Sequence, residues 1–236
     1  MRYSDWEEIY KGIAKDFGFD RAKDDEAARV AADIMAYKTI KRTEKTVEEA
    51  IEELIKDNKV IICGNAPSLE RNVVGTAKKL DGLPAAQKYI VIAADGATSV
   101  LLRNGIIPEI VCTDLDGTIT DIITANRFGS IIVVHAHGDN MWMLKRVLPA
   151  LNENVLCTTQ SKPLHNGNGN VQVYNFGGFT DGDRSVFLAK EFGARSIDLI
   201  GFDFDDKQVS ERKRKKLKWA KRLIDDILQK QVDEKE

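Results

Sequence analysis

Aspartate recurs just beyond the short apolar runs of this chain. Asp95 follows Tyr89–Ala94, and Asp114 and Asp116 follow Glu109–Cys112. Asp139 follows Ser130–Val134 by way of His135-Ala136-His137-Gly138. Asp181 and Asp183, with Arg184, come after Val171–Tyr174, and Asp203, Asp205 and Asp206 come after Ser196–Ile200. Any one of these could cap a helix, because Asp favours that position. Five such groups along one edge would repel, since crowded carboxylates raise one another's pKa. A cation among them removes the conflict. Oxygen donors without cysteine point to Mg²⁺ rather than zinc. Asp114 and Asp116 are the leading metal ligands and catalytic candidates, with Asp139 next. His135 and His137, two apart on an extended chain, would suit zinc by spacing alone. Among Mg²⁺-type donors they read better as groups that orient carboxylates or touch a substrate, with His137 the candidate base.

A second kind of chemistry sits after the first apolar run, in Gly64-Asn65-Ala66-Pro67-Ser68. Gly64 permits a tight turn, Pro67 fixes the chain and Ser68 is placed to cap the following helix. A helix N-terminus offers free N–H groups and partial positive charge, which suits phosphate. An ordinary strand-to-helix turn has the same look, so the loop by itself leaves both readings open.

These residues need a scaffold that brings them to one edge. Apolar runs at Val60–Cys63, Tyr89–Ala94, Glu109–Cys112, Ser130–Val134, Asn154–Cys157, Val171–Tyr174 and Ser196–Ile200 are nearly continuous, as in strands buried on both faces. Helical patterns lie between them, at Ser68–Leu80, Ala97–Asn104, Asp121–Phe128, Asn140–Leu151 and Asp183–Phe192. This alternation predicts an α/β fold with a doubly wound, mostly parallel, Rossmann-like sheet. Ligands in such sheets bind beyond the carboxyl ends of the strands. Residues 1–58 read as a helical N-terminal segment and 59–236 as the catalytic domain with a basic C-terminal helix over Ser210–Gln229. Ser4 with Glu7, and Thr46 with Glu49, have the spacing of capping boxes. A second helix is expected from Asp24 to about Tyr37.

Composition limits the rest. Of 236 residues, 43% are hydrophobic and 31% charged, with a net charge of −2. That allows a full core and argues against a general polyanion binder. Cys63, Cys112 and Cys157 are scattered, which fits buried reduced thiols better than a disulfide framework or a zinc knuckle. No signal peptide and no span of bilayer length are evident, so a soluble, cytoplasmic protein is expected, with no membrane partner. The run Arg212-Lys213-Arg214-Lys215-Lys216 reads first as a solvated helix face over Leu217, Ala220, Leu223, Ile224 and Leu228. A phosphate contact from Lys216 ranks second and nucleic acid last. A homodimer is left open.

Asp95-Gly96-Ala97, then Leu102 to Glu109, then Thr113-Asp114-Leu115-Asp116 resemble thiamin pyrophosphokinase over about a tenth of the chain, with Thr113 and Gly117 standing where that family has Gly and Ser. A wider pattern is similar to the archaeal 6-hydroxymethyl-7,8-dihydropterin pyrophosphokinases. It comprises Gly64 to Leu69, His135 to Asn140, Gly178 to Arg184 and Gly201-Phe202-Asp203. The resemblance implies a catalytic domain like that of thiamin pyrophosphokinase, ATP as donor, Mg²⁺, and a pterin acceptor in methanopterin or folate synthesis. Under diphosphoryl transfer the residues themselves suggest roles. Gly64, Asn65, Ser68, Asp95 and Gly96 would hold the nucleotide, and Arg184 and Lys216 its phosphates. Asp181 and Asp183 would serve substrate or a second ion, and Asn140 or Asp203 would meet the guanidine-like edge of the pterin. Thiamin remains an alternative acceptor. Asp114-Leu115-Asp116-Gly117-Thr118 also has the form of a haloacid-dehalogenase-type phosphatase motif, in which the first Asp is a nucleophile. The Gly64 loop has a counterpart in nucleotide-sugar glycosyltransferases, and a non-catalytic nucleotide-binding domain is a further reading.

Overall fold

The computed structural model describes residues 1–39, 45–73, 89–165, 167 and 171–233. Eight strands form one sheet: β1 (Lys59–Cys63), β2 (Ile90–Ala94), β3 (Ile110–Thr113), β4 (Ile131–Ala136), β5 (Val155–Thr159), β6 (Leu164–His165), β7 (Val171–Tyr174) and β8 (Ser196–Ile200). Their order is β6-β7-β5-β4-β3-β2-β1-β8. The β6–β7 pair is antiparallel, and the other ladders are parallel.

The helices are α1 (Tyr3–Phe17), α2 (Arg21–Thr39), α3 (Val47–Ile55), α4 (68–73), α5 (Ala97–Arg103), α6 (Ile119–Arg127), α7 (Met141–Val147), α8 (Asp181–Glu191) and α9 (Glu211–Asp233). The chain steps from β1 to β5 in one direction, and α4 to α7 all pack on the same face. After β7 it crosses back through α8, on the opposite face, to place β8 beside β1. Reversing both direction and face keeps every crossover right-handed. The chain leaving β1 goes to α4 on one face and the chain leaving β8 goes to α9 on the other, which opens a crevice at the carboxyl ends of these strands.

Alternate side chains of each strand feed two cores. Ile61 and Cys63 of β1 enter one, and Val60 and Ile62 enter the other. The N-terminal helices contribute to both layers. α1 buries Trp6, Tyr10, Ile13 and Ala14 against α8 and α9, whereas α2 buries Ala27, Ala28, Ala31 and Ala32 on the α4–α7 side. α9 turns Ala220, Leu223, Ile224 and Ile227 inward, leaves Arg214, Lys215, Lys218, Lys221 and Arg222 exposed, and holds Lys216 partly buried. The three cysteines are free and buried. Among the described residues no helix is long and apolar enough to cross a membrane.

Local expectations differ in places. Thr46 and Glu49 do form a capping box at α3. Ser4 does not cap: α1 starts at Tyr3 behind Arg2, and Ser4 lies inside the first turn. α2 begins at Arg21, three residues before the expected Asp24, and β6 lies outside the apolar runs. The helix expected over Ser68–Leu80 is present at 68–73, and residues 74–80 lie outside the described residues. Ser68 is the first helical residue rather than the residue before it.

Candidate active site

The carboxyl ends of β2 and β3 carry the centre of the site. Asp95 follows β2, and Asp114 and Asp116 follow β3. Asp181 opens α8 and arrives from the other face of the sheet. One carboxylate oxygen from each of these four lies within 4.8 Å of the others. The backbone is bent to achieve this: Asp95 has φ 33° and Leu115 φ 66°. Left-handed backbone at non-glycine residues is strained and concentrates at functional sites. Thr113 fixes both turns, because its hydroxyl donates to Asp95 Oδ2 at 2.5 Å and accepts from the Leu115 N–H at 2.8 Å. Position 117 must be glycine, since a Cβ there would stand 1.6 Å from Asp95 Oδ1.

Electrostatics sets these carboxylates apart. Burial pushes Asp95 up to about 6, with Asp116 and Asp114 adding to the shift and the Thr113 hydroxyl opposing it. Burial likewise raises Asp116 and Asp181, and the neighbouring charge of Asp114 reinforces both shifts. Burial works in the same direction on Asp114, but His137 and Arg184 outweigh it and hold that carboxyl below the ordinary range. Asp95 Oδ1 and Asp114 Oδ1 are buried with no hydrogen-bond partner among the described residues. Four crowded acids with two unpartnered oxygens fit a hard divalent cation such as Mg²⁺.

Arg184 Nη1 donates to Asp181 Oδ1 at 2.9 Å. His137 Nε2 is 3.5 Å from Asp114 Oδ2, and its Nδ1 accepts the Asp139 N–H at 3.3 Å. Nδ1 is therefore the unprotonated nitrogen, and the Nε2–H faces Asp114. His135 is buried against the Thr158 hydroxyl at 2.9 Å, and burial pushes its pKa well below the usual value.

Two cavities of about 400 and 380 Å³ meet at this centre, within the size range of small-molecule sites. The first is lined by Gly64 to Pro67, Asp95, Gly96, Phe202, Asp203 and the α9 lysines Lys213 and Lys216. The second lies under α1 and α2, between Phe17, Phe19, Asp24, His137, Asp139 and Gln160. Asp114, Phe179 and Lys216 line both.

Several sequence expectations change here. Asp139 is exposed and stands apart from the four-carboxylate group, whereas Asp181 joins it. Asp183 is fully buried and accepts the Phe179 N–H, the Thr180 N–H and the Thr180 hydroxyl. It completes the capping box of Thr180 at the start of α8 and presents no surface to a substrate. Asn140 is likewise consumed: its amide donates to the Asp114 and His135 carbonyls, both at 2.7 Å, and accepts the His137 N–H at 3.1 Å. Ser68 does not line either cavity. Lys213, one turn before Lys216, lines the first cavity with it, and nothing in the basic run distinguishes it from its neighbours. Phe17, Phe19, Asp24 and Gln160 carried no motif that could have marked them.

Residues 34–209 match the family model described as "6-hydroxymethylpterin diphosphokinase MptE-like". The chain is 40% identical over 238 residues to the 6-hydroxymethyl-7,8-dihydropterin pyrophosphokinase of Pyrococcus furiosus, covering 95% of this chain and 94% of that protein. It is 39% identical over 239 residues to the protein of the same name from Methanothermobacter thermautotrophicus, with 95% and 94% covered. The Methanocaldococcus jannaschii protein of that name is 37% identical over 238 residues, with 95% of each chain covered.

Proposed function

The chain belongs to the 6-hydroxymethylpterin diphosphokinase MptE-like family, and from that premise we propose that it transfers diphosphate from ATP to the hydroxymethyl group of 6-hydroxymethyl-7,8-dihydropterin and releases AMP. One observation carries this reading: a four-carboxylate centre with unpartnered oxygens lies where two small-molecule cavities meet. A donor in one and an acceptor in the other face each other across the group that moves.

The bond formed joins the hydroxymethyl oxygen to the β-phosphorus, the bond broken is that from the β-phosphorus to the α–β bridging oxygen, which leaves with AMP, and the hydroxyl proton is released to solvent as the new bond forms. Asp95, Asp114, Asp116 and Asp181 would hold Mg²⁺, which supplies charge neutralisation on the phosphates when bound. The Gly64–Pro67 turn, Gly96 and Asn65 form the wall against which the nucleotide lies, and Lys213 and Lys216 supply positive charge there. Arg184, aligned by Asp181, presents its remaining N–H donors to phosphate oxygens. His137 holds Asp114 in place through its Nε2–H. With Nδ1 occupied, it acts as a positioning group rather than as the base. Orientation and charge stabilisation supply most of the rate in such transfers.

The relatives' shared name favours the pterin over thiamin, and the phosphatase and glycosyltransferase readings draw no support from them. The test is AMP formation from ATP and Mg²⁺ with each candidate acceptor. AMP is expected with 6-hydroxymethyl-7,8-dihydropterin and not with thiamin. AMP with thiamin alone would redirect the acceptor, and phosphate release from simple phosphomonoesters without AMP would restore the phosphatase reading.

A further inference from the structure

We propose that the cavity beneath α1 and α2 is the acceptor subsite, and that Asp24 receives the paired N–H donors of the acceptor's aminopyrimidine edge. The inference rests on the diphosphoryl transfer assigned above and adds where the acceptor lies and what reads it.

In-line transfer requires donor and acceptor on opposite sides of the moving group. The two cavities satisfy this, since Asp114, Phe179 and Lys216 stand between them. The cavity beside Gly64 to Pro67 offers backbone turns with Lys213 and Lys216, which suits a nucleotide; Lys23, Arg184 and Arg212 line the other, so charge alone does not separate the two. The other has three aromatic rings along one side, with Arg212 over two of them. Phe17 and Phe19 stack at 5.5 Å across the Gly18 turn, and Phe179 tilts against them at 5.2 and 6.1 Å. A planar heterocycle matches that wall.

Asp24 lies in the same cavity and is 5% exposed. Its Oδ1 accepts the Gly138 N–H at 2.9 Å, and its Oδ2 accepts the Tyr10 hydroxyl. These two contacts fix its plane. Each carboxylate oxygen retains acceptor capacity. No cation forms a salt bridge with Asp24 among the described residues. The Gly138 and Tyr10 donors offset the cost of burying the carboxylate, and its remaining lone pairs leave room for two more. An amino group and a ring N–H side by side are such donors.

The test is steady-state AMP formation by the intact protein with ATP and Mg²⁺, varying either substrate. The acceptors are the pterin and its analogue carrying an oxo group in place of the 2-amino group. Asp24→Asn is expected to raise KM for the pterin roughly ten- to a hundredfold while leaving KM for ATP within about twofold. It is also expected to lose roughly tenfold or more of the preference for the pterin over the oxo analogue. A merely structural role for Asp24 would not move that preference. Phe19→Leu, which leaves the Asp24 contacts intact, should raise KM for the pterin alone and should leave the amino-versus-oxo preference in place. This second variant decides the matter if Asp24→Asn does not fold. Variants that shift KM for ATP instead would exchange the two compartments and overturn the proposal, as would an unaltered KM for the pterin. If the unmodified protein forms no AMP from the pterin, the reaction itself is wrong and the subsite falls with it. Normal turnover with indifferent variants overturns the subsite alone.

Discussion

Asp95, Asp114 and Asp116 were recognisable because each follows an apolar run, and a strand end is where such residues gather. The same sign puts Asp139 ahead of Asp181 and gives Asp95 to the nucleotide, whereas Asp95 and Asp181 stand in the four-carboxylate group and Asp139 does not. Which of them reaches the centre depends on how α8 crosses back over the sheet, and spacing along the chain does not encode that. The cluster makes a prediction of its own. Without divalent ions, Asp116→Asn should be at least as stable as the unmodified chain, because a repelling charge is removed. The same substitution should lower AMP formation by about a thousandfold or more. Thermal unfolding with and without Mg²⁺ separates the two effects, since only the unmodified protein should gain much stability from the ion. His135 gives a pH signature. Its pKa in the folded state lies below that in the unfolded chain. The unfolded chain therefore takes up a proton first, and stability is lost as pH falls below about 6.5. The slope from this group is at most about 1.4 kcal/mol per pH unit. Urea unfolding at pH 7 and 5.5 should show this loss in the unmodified protein and less of it in His135→Asn.

At the scale of elements, strands were the most legible part. Seven of the eight lie within a residue or two of the apolar runs. β6 has two residues, neither of them buried, so no pattern marks it. The two capping boxes show the limit of short motifs. Thr46 lies before α3 and its side chain accepts the Glu49 N–H, whereas Ser4 lies within α1 and donates to Asp5 at 3.2 Å. Thr46→Ala should cost about 1 kcal/mol and Ser4→Ala close to nothing, by chemical denaturation. The join between β1 and β8 is a second sensitive point. Gly201 has φ 68°, and a Cβ there would approach the Gly64 carbonyl oxygen to 2.3 Å. Gly201→Ala should destabilise by more than about 2 kcal/mol and should also weaken nucleotide binding, because the same turn lines that cavity.

At the scale of the molecule, the helical start of the chain belongs to both layers of the sandwich, which its own sequence pattern could not convey. Amphipathic spacing tells that a helix has an apolar face and not which surface that face meets. A chain beginning at Thr46 should therefore lose its cooperative thermal transition, since it would expose the surfaces that Trp6, Tyr10 and Ala28 cover. The wall common to the two cavities has a practical consequence for inhibition. One compound carrying a purine nucleoside and a bicyclic ring, joined by a short polyphosphate tether, would occupy both compartments together. Its second half would already be at high local concentration once the first had docked. Such a conjugate should bind far more tightly than either half, and its optimal tether length would give a chemical ruler for the gap across Asp114.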